Sequence, residues 1–202
     1  KHDNGDIMIV DDNQIIDQDY NNFQTMMAWE KPYMEKCIEI LRPHGDVLEV
    51  GFGMGYSATA INKYPIRSYT VLEKDTQVIK KFKRWKPKQK NKKIKLIEGM
   101  WQFTLPSLNK KYDCIFFDDS PCHEFKEGNQ YGFNLFLKII LHRNVKYNTK
   151  LVSYATARST FTGYLTKHFI DKYYKYNIKI PYFCKYAKGN FMGIAKITFK
   201  KN

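Results

Sequence analysis

Nowhere in its 202 residues does the chain carry an apolar run approaching the roughly 18 residues of a transmembrane helix, so none is expected. Lys1 to Tyr20 lacks the basic-then-apolar order of a secretory signal and is instead polar and acidic. Cysteine is scarce: Cys37, Cys114, Cys122 and Cys184 stand far apart, with no C-x-x-C pair. That spacing supports neither a metal site nor a disulfide framework, and a reducing, cytoplasmic compartment is the plain reading. Acidic residues are also few, 20 against 34 Lys and Arg, leaving a formal charge of +14. The excess is densest from Lys80 to Lys95, KKFKRWKPKQKNKKIK, a segment with no acid at all. Such a stripe could hold nucleic-acid phosphates, but a solvated surface in a chain rich in Lys, Asn, Ile and Tyr throughout is the favoured explanation.

What the chain does have is apolar mass. Hydrophobic residues make up 43%, with 14 Phe and 15 Tyr, enough for one packed domain and too much for disorder. Gln24 to Arg42 shows apolar residues at helical spacing and ends before Pro43. Strand patterns at Val47–Val50, Ser68–Leu72, Lys93–Ile97, Tyr112–Phe117 and Leu151–Tyr154 alternate with helical ones at Ser57–Lys63, Asp75–Trp85, Tyr131–Leu141 and Phe161–Tyr174. Ile178–Phe183 and Phe191–Phe199 alternate as a closing antiparallel hairpin would. This order predicts a mostly parallel seven-stranded α/β sheet with helices on both faces, a Rossmann-like architecture. Residues 1–25 are expected to form an N-terminal segment, a candidate lid, and residues 26–202 the body of the domain.

The sharpest local pattern is Glu49-Val50-Gly51-Phe52-Gly53-Met54-Gly55, directly after the first predicted strand of that sheet. Glycines there let the backbone pass close to a ligand, and Glu73 at the next strand's end stands where an acid would accept ribose hydroxyls. A dinucleotide site would place its third glycine at position 56, which is Tyr56. The G-x-G-x-G spacing after Glu49 resembles motif I of class I methyltransferases instead.

Trp29-Glu30-Lys31-Pro32-Tyr33-Met34 and Val47 to Met54 (VLEVGFGM), followed by Leu72-Glu73, Trp85-Lys86-Pro87-Lys88-Gln89, Gly99-Met100-Trp101, Tyr112-Asp113 and Phe117-Asp118, resemble the guanidinoacetate N-methyltransferase family in order and spacing. The resemblance covers the central two-thirds of the chain. It implies S-adenosylmethionine as cofactor, lined by Met26, Gly51, Phe52, Gly53, Met54, Gly55, Tyr56 and Ser57, with Glu73 on the ribose and Trp101 and Gln102 flanking the adenine. It also implies Glu30 and Asp118 as the catalytic pair gripping a guanidino group, and no metal. Type IV protein arginine methyltransferases share these motifs, so the implied acceptor is a small guanidino compound or arginine. The chain departs from the family pattern at Asp119, at Gln102 and near Arg158.

Two carboxylates suit that chemistry, because a planar guanidinium presents forked donors that carboxylates match bidentately. Two other functions compete. A nucleic-acid methyltransferase would use the lysine stripe, yet Asp118-Asp119-Ser120-Pro121-Cys122 lacks the second proline and the stacking aromatic of the amino-directed enzymes. A non-catalytic cofactor-binding protein would be expected to have lost Glu30 or Asp118, and both are present. Nucleic acid is therefore a disfavoured partner, no membrane is expected, and the oligomeric state cannot be read.

Overall fold

The structure is a computed structural model that describes residues 8–11, 13–17, 23–91, 93–119, 130–155, 170–184 and 187–200. It begins with a small antiparallel sheet of β1 (Met8–Val10), β2 (Gln14–Asp17) and β3 (Phe23–Met27), in that spatial order. A 3₁₀ turn, Ala28–Glu30, leads into α1 (Lys31–Leu41). There follow β4 (Gly45–Val50), α2 (Tyr56–Ile61), β5 (Ile66–Glu73), α3 (Thr76–Trp85), β6 (Ile94–Glu98) and α4 (Trp101–Thr104). The remainder is β7 (Cys114–Phe117), α5 (Gln130–Arg143), β8 (Lys150–Ala155), β9 (Ile170–Asn177) and β10 (Phe191–Thr198).

The large sheet has seven strands in the order β6-β5-β4-β7-β8-β10-β9. The five strands from β6 to β8 are parallel, and β10 runs antiparallel to both β8 and β9. This is the expected mostly parallel sheet closed by an antiparallel hairpin. The chain winds outward from β4 to β6, then returns to lay β7 on the other side of β4. Such a reversal opens a crevice at the carboxyl ends of the two central strands, where open α/β sheets bind ligands.

Strand alternation divides the core in two. Val47, Val71, Phe116 and Val152 pack under α1, α2 and α3 with Tyr33, Ile38, Ala58 and Phe82. Leu48, Val50, Ile115, Phe117 and Leu151 face the other way, against Trp101 and the Phe133, Phe136, Leu137 and Ile140 stripe of α5. Asp75 caps α3 by accepting from the backbone N–H groups of Gln77 (2.9 Å) and Val78 (2.8 Å), an arrangement that contributes about 1 kcal/mol.

Three expectations are corrected. The helix expected from Gln24 begins only at Lys31, because Pro32 lacks an N–H and suits the first turn, while Phe23–Met27 pairs with β2 as a strand. The helix expected over Phe161–Tyr174 gives way by Ile170 to β9; residues 156–169, including Arg158, lie outside the described residues. The partner of β10 in the closing hairpin is therefore β9 and not Ile178–Phe183, whose Pro181 instead anchors a turn, accepting from the Cys184 N–H at 3.0 Å. Within the polar N-terminal segment, β1 and β2 form a small sheet with β3, which runs on to Met27.

Among the described residues no helix is long and apolar enough to cross a membrane, and no group of three or more His, Cys, Asp or Glu could hold a metal ion. Cys37, Cys114 and Cys184 are free thiols; Cys122 lies outside the described residues. The lysine stripe follows α3 and its connection to β6. Lys86, Lys88, Lys90 and Lys93 lie between the end of α3 and the start of β6, at the amino ends of the parallel strands, whereas the glycine turn is at the carboxyl ends.

The amino ends of β4, β5 and β7 hold a polar network. Asp46 accepts from Ser68 Oγ (2.5 Å) and Lys110 Nζ (3.2 Å) and is ion-paired with Arg67, while Asp113 pairs with Lys146 at 2.5 Å. The Arg67 guanidinium, then Ser68 and Lys110, hold the Asp46 carboxyl far below the usual carboxylate range. This contribution is complete above the unfolded-state pKa of about 3.9 and is lost as pH falls below it. Urea denaturation should find Asp46→Asn less stable by about 1 kcal/mol at pH 7, no more because Arg67 is largely in water. The gap should narrow below about pH 4.

Candidate cofactor and acceptor site

Where β4 ends, the chain turns through three left-handed glycines, Gly51 (φ 83°), Gly53 (φ 52°) and Gly55 (φ 77°). Gly51 is required twice over. Its φ disfavours a side chain, and a Cβ there would stand 2.1 Å from the Asp118 carbonyl oxygen on the neighbouring strand end. A Cβ on Gly53 would press on Met26 Sδ at 2.8 Å, and the Met54 N–H points at the same sulfur, 3.1 Å away. Met26 of β3 thus closes against the turn.

Two buried carboxyls brace this turn. Glu73 accepts from the Phe52 N–H (2.8 Å) and from those of Lys74 (2.8 Å) and Asp75 (2.9 Å), so it ties the end of β5 to the glycine loop. Glu49, fully buried beneath, receives the hydroxyls of Ser57 and Tyr69, joining β4, α2 and β5. Burial pushes both carboxyls above the ordinary range. Phe52 presents its backbone to the turn, while its ring packs edge-on against Phe82 (5.1 Å) and Trp85 (5.3 Å). Trp85, from the W-x-P-x-Q segment, also donates its indole N–H to Thr59 Oγ1 at 3.0 Å.

Trp101 is buried in the second core, edge-on to Phe117 and Phe136, each at 5.6 Å, and its indole N–H donates to Asp119 Oδ2 at 2.6 Å. Asp119, where the chain departs from the family pattern, is the partner of this indole. No local pattern announces that role, since 18 positions separate the two residues. Next to Trp101, the Gln102 Oε1 is buried and has no hydrogen-bond partner among the described residues. A buried acceptor left open at that place, beside a backbone turn stripped of side chains and an acid with lone pairs to spare, fits an adenosyl ligand with its amino group and ribose hydroxyls.

On the other side of the switch point stand Glu30 and Asp118. Glu30 is only 1% exposed, and its Oε1 accepts from the Met27 N–H at 2.8 Å, which fixes the carboxyl at the start of α1. Asp118 continues β7, its N–H bonded to the Val50 carbonyl at 3.0 Å, and keeps part of its surface open. Burial, then the charge of Glu30, then that of Asp119 push the Asp118 carboxyl well up. The Tyr154 phenol of β8 is likewise pushed up, by burial first and then by Glu30 and Asp118. Tyr154 is a neighbour of the pair that the sequence marks only as the end of the Leu151–Tyr154 strand pattern.

The fold is that of class I methyltransferases. At 96% coverage of this chain and 100% of the other, it superposes on the precorrin-6Y C5,15-methyltransferase of Geobacter metallireducens with a TM-score of 0.63 at 15% identity. It superposes on the SAH-bound methyltransferase of Podospora anserina with a TM-score of 0.53 at 21% identity, covering 85% and 78% of the two chains. Spermidine synthase from Thermotoga maritima shares the fold too, with a TM-score of 0.63 at 13% identity, covering 95% and 72%. The sequence then narrows the class: the family model for guanidinoacetate N-methyltransferase matches residues 17–180, and the chain belongs to that family. Protein arginine N-methyltransferase 2 of Saccharomyces cerevisiae is 34% identical over 119 residues, and that of Candida glabrata 34% over 116. These matches take in 54% and 53% of this chain but only 28% and 27% of the yeast proteins, so the chain spans little more than a quarter of those relatives.

Two outcomes test this geometry. Gly51→Ala should lower stability by more than about 2 kcal/mol in chemical denaturation, because left-handed strain and the clash with Asp118 add together. Asp119, whose carboxyl burial raises to about 6, binds its proton more tightly folded than unfolded. Wild-type stability should therefore fall as pH rises from about 4 to 6, and Asp119→Asn, which keeps an oxygen for Trp101, should remove up to about 3 kcal/mol of that pH dependence.

Proposed function

We propose that this chain transfers a methyl group from S-adenosylmethionine to a guanidino nitrogen, in a small guanidino compound or in arginine. The observation that carries the reading is the meeting of two carboxyls, Glu30 and Asp118, one buried and one nearly so, beside the glycine turn. The family model and the arginine methyltransferase relatives support it. Gly51 to Ser57, Met26 and Glu73 would hold the cofactor, with Gln102 toward the adenine amino group, and Trp101 would shape that end through its packing. The β1–β3 unit that carries Met26 is the lid in this reading. When bound, the cofactor supplies an electrophilic methyl on a sulfonium sulfur.

The carboxyls do the rest. A guanidinium with a pKa near 13.8 costs roughly 9 kcal/mol to deprotonate at neutral pH, which no carboxylate supplies in advance. Glu30, anchored by the Met27 N–H, and Asp118, anchored through its main chain, instead orient the nitrogen as a near-attack partner. Asp118 takes the proton as the nitrogen gains its methyl group, and its raised pKa suits an acceptor of protons. An incoming cation reverses the mutual repulsion of the pair and favours both ionised forms, so acceptor binding releases protons.

Methyl transfer measured with labelled cofactor against guanidino compounds, arginine peptides and RNA is the test, with turnover of the first or second class expected. Turnover of RNA alone would overturn the reading. Glu30→Gln and Asp118→Asn should each lower kcat/KM by at least about a hundredfold with cofactor affinity little changed, and wild-type KM for the acceptor should fall as pH rises. Full activity in either variant would remove that carboxyl from the mechanism.

A further inference from the structure

Glu30 and Asp118 leave the recognition of a guanidinium incomplete. A monosubstituted guanidinium has five N–H donors, and two carboxylates gripping it fork to fork satisfy at most four. The structure holds a neutral oxygen at the same place. β7 and β8 run parallel with Phe116 opposite Val152 and Phe117 opposite Ser153, so Asp118 and Tyr154 are the next neighbours in register. Phe116 and Val152 both point into the core under α1, and alternation turns Asp118 and Tyr154, two residues further on, to that same face. Glu30 arrives there from the 3₁₀ turn that leads into α1. Tyr33, one turn after Glu30, stands edge-on to the Tyr154 ring, centroids 5.5 Å apart at 85°, and donates its own hydroxyl to the Gly193 carbonyl at 2.5 Å. The Tyr154 ring is therefore held, and it is partly open to solvent.

We propose that Tyr154 is an acceptor-binding residue, whose phenol oxygen receives the guanidinium N–H that Glu30 and Asp118 leave over; this rests on the guanidino reading above. Burial and the two flanking carboxyls keep the phenol un-ionised, so it adds a lone pair without a third negative charge. The arrangement selects for a donor-rich planar cation: an ammonium, with three donors, is satisfied by the carboxylates alone and gains little from a third oxygen.

Calorimetric titration of methylguanidinium chloride into protein saturated with S-adenosylhomocysteine tests this. Tyr154→Phe keeps the ring contact with Tyr33 and should bind the probe roughly ten- to a hundredfold more weakly, the range for a hydrogen bond to a charged group, with S-adenosylhomocysteine affinity unchanged. With methylammonium titrated in parallel, wild type should discriminate against it, relative to methylguanidinium, far more than Tyr154→Phe does. In turnover, KM for the acceptor should rise by a similar factor while kcat changes less than about threefold. Tyr33→Phe is the comparison, and should lower thermal stability without moving probe affinity. If wild type binds methylguanidinium and Tyr154→Phe binds it equally well, the role of Tyr154 is overturned and the guanidino reading survives. If wild type binds no guanidinium probe, the guanidino reading falls and this inference falls with it.

Discussion

The Asp118 carbonyl oxygen occupies the space a side chain at Gly51 would need, and the site depends on that close approach. It brings the carboxyl ends of β4 and β7 together where the sheet order reverses, with nothing between the two main chains. From that point the glycine turn runs one way toward Glu73 and Gln102, and the Asp118 side chain reaches the other way toward Glu30 and Tyr154. A sheet wound in the same direction throughout would have no such crevice, and the two groups of residues would lie on separate surfaces.

The second feature is a contrast of charge. The protein carries +14 overall, yet Glu30, Glu49, Glu73, Asp118 and Asp119 crowd around one crevice. Screening resolves the apparent conflict. Lys86, Lys88, Lys90 and Lys93 lie toward the amino ends of the parallel strands, away from the crevice, and in physiological salt exposed charges are felt over only about 8 Å. Buried carboxyls act at close range in a poorly screened interior, so the local field in the crevice is acidic whatever the sign of the surface. The cost is borne by the carboxyls, with Asp118 pushed up first by burial and then by the charges of Glu30 and Asp119.

Some of this was legible along the chain. The strand-turn-helix order, the glycine spacing and the Asp75 cap are local, and local chemistry encodes them: backbone freedom at glycine, hydrogen-bonding reach at a helix start, periodicity in the strands. Where a pattern was ambiguous, tertiary pairing decided. Ile170, Tyr173 and Tyr174 fall at the spacing of one helix face, yet pairing with β10 makes the segment a strand. Met26 and Met27 look like the first residues of a helix, but Pro32 delays it and β2 claims them. The polar N-terminal region conceals strands because two of its three are four residues or fewer, too short to show alternation.

The sequence by itself determined the class of fold, the turn that three glycines make, and the family, because each rests on residue types at short fixed spacings. Only the tertiary structure decided who stands beside whom. Asp119 meets Trp101, Glu49 meets Tyr69, and Tyr154 stands beside Asp118 with Glu30 in electrostatic reach, although in sequence these residues are tens of positions apart or nearly so. The physical reason is register: a strand specifies which face a side chain takes, but which neighbour it meets there depends on how separate strands and helices dock, and no local spacing records that.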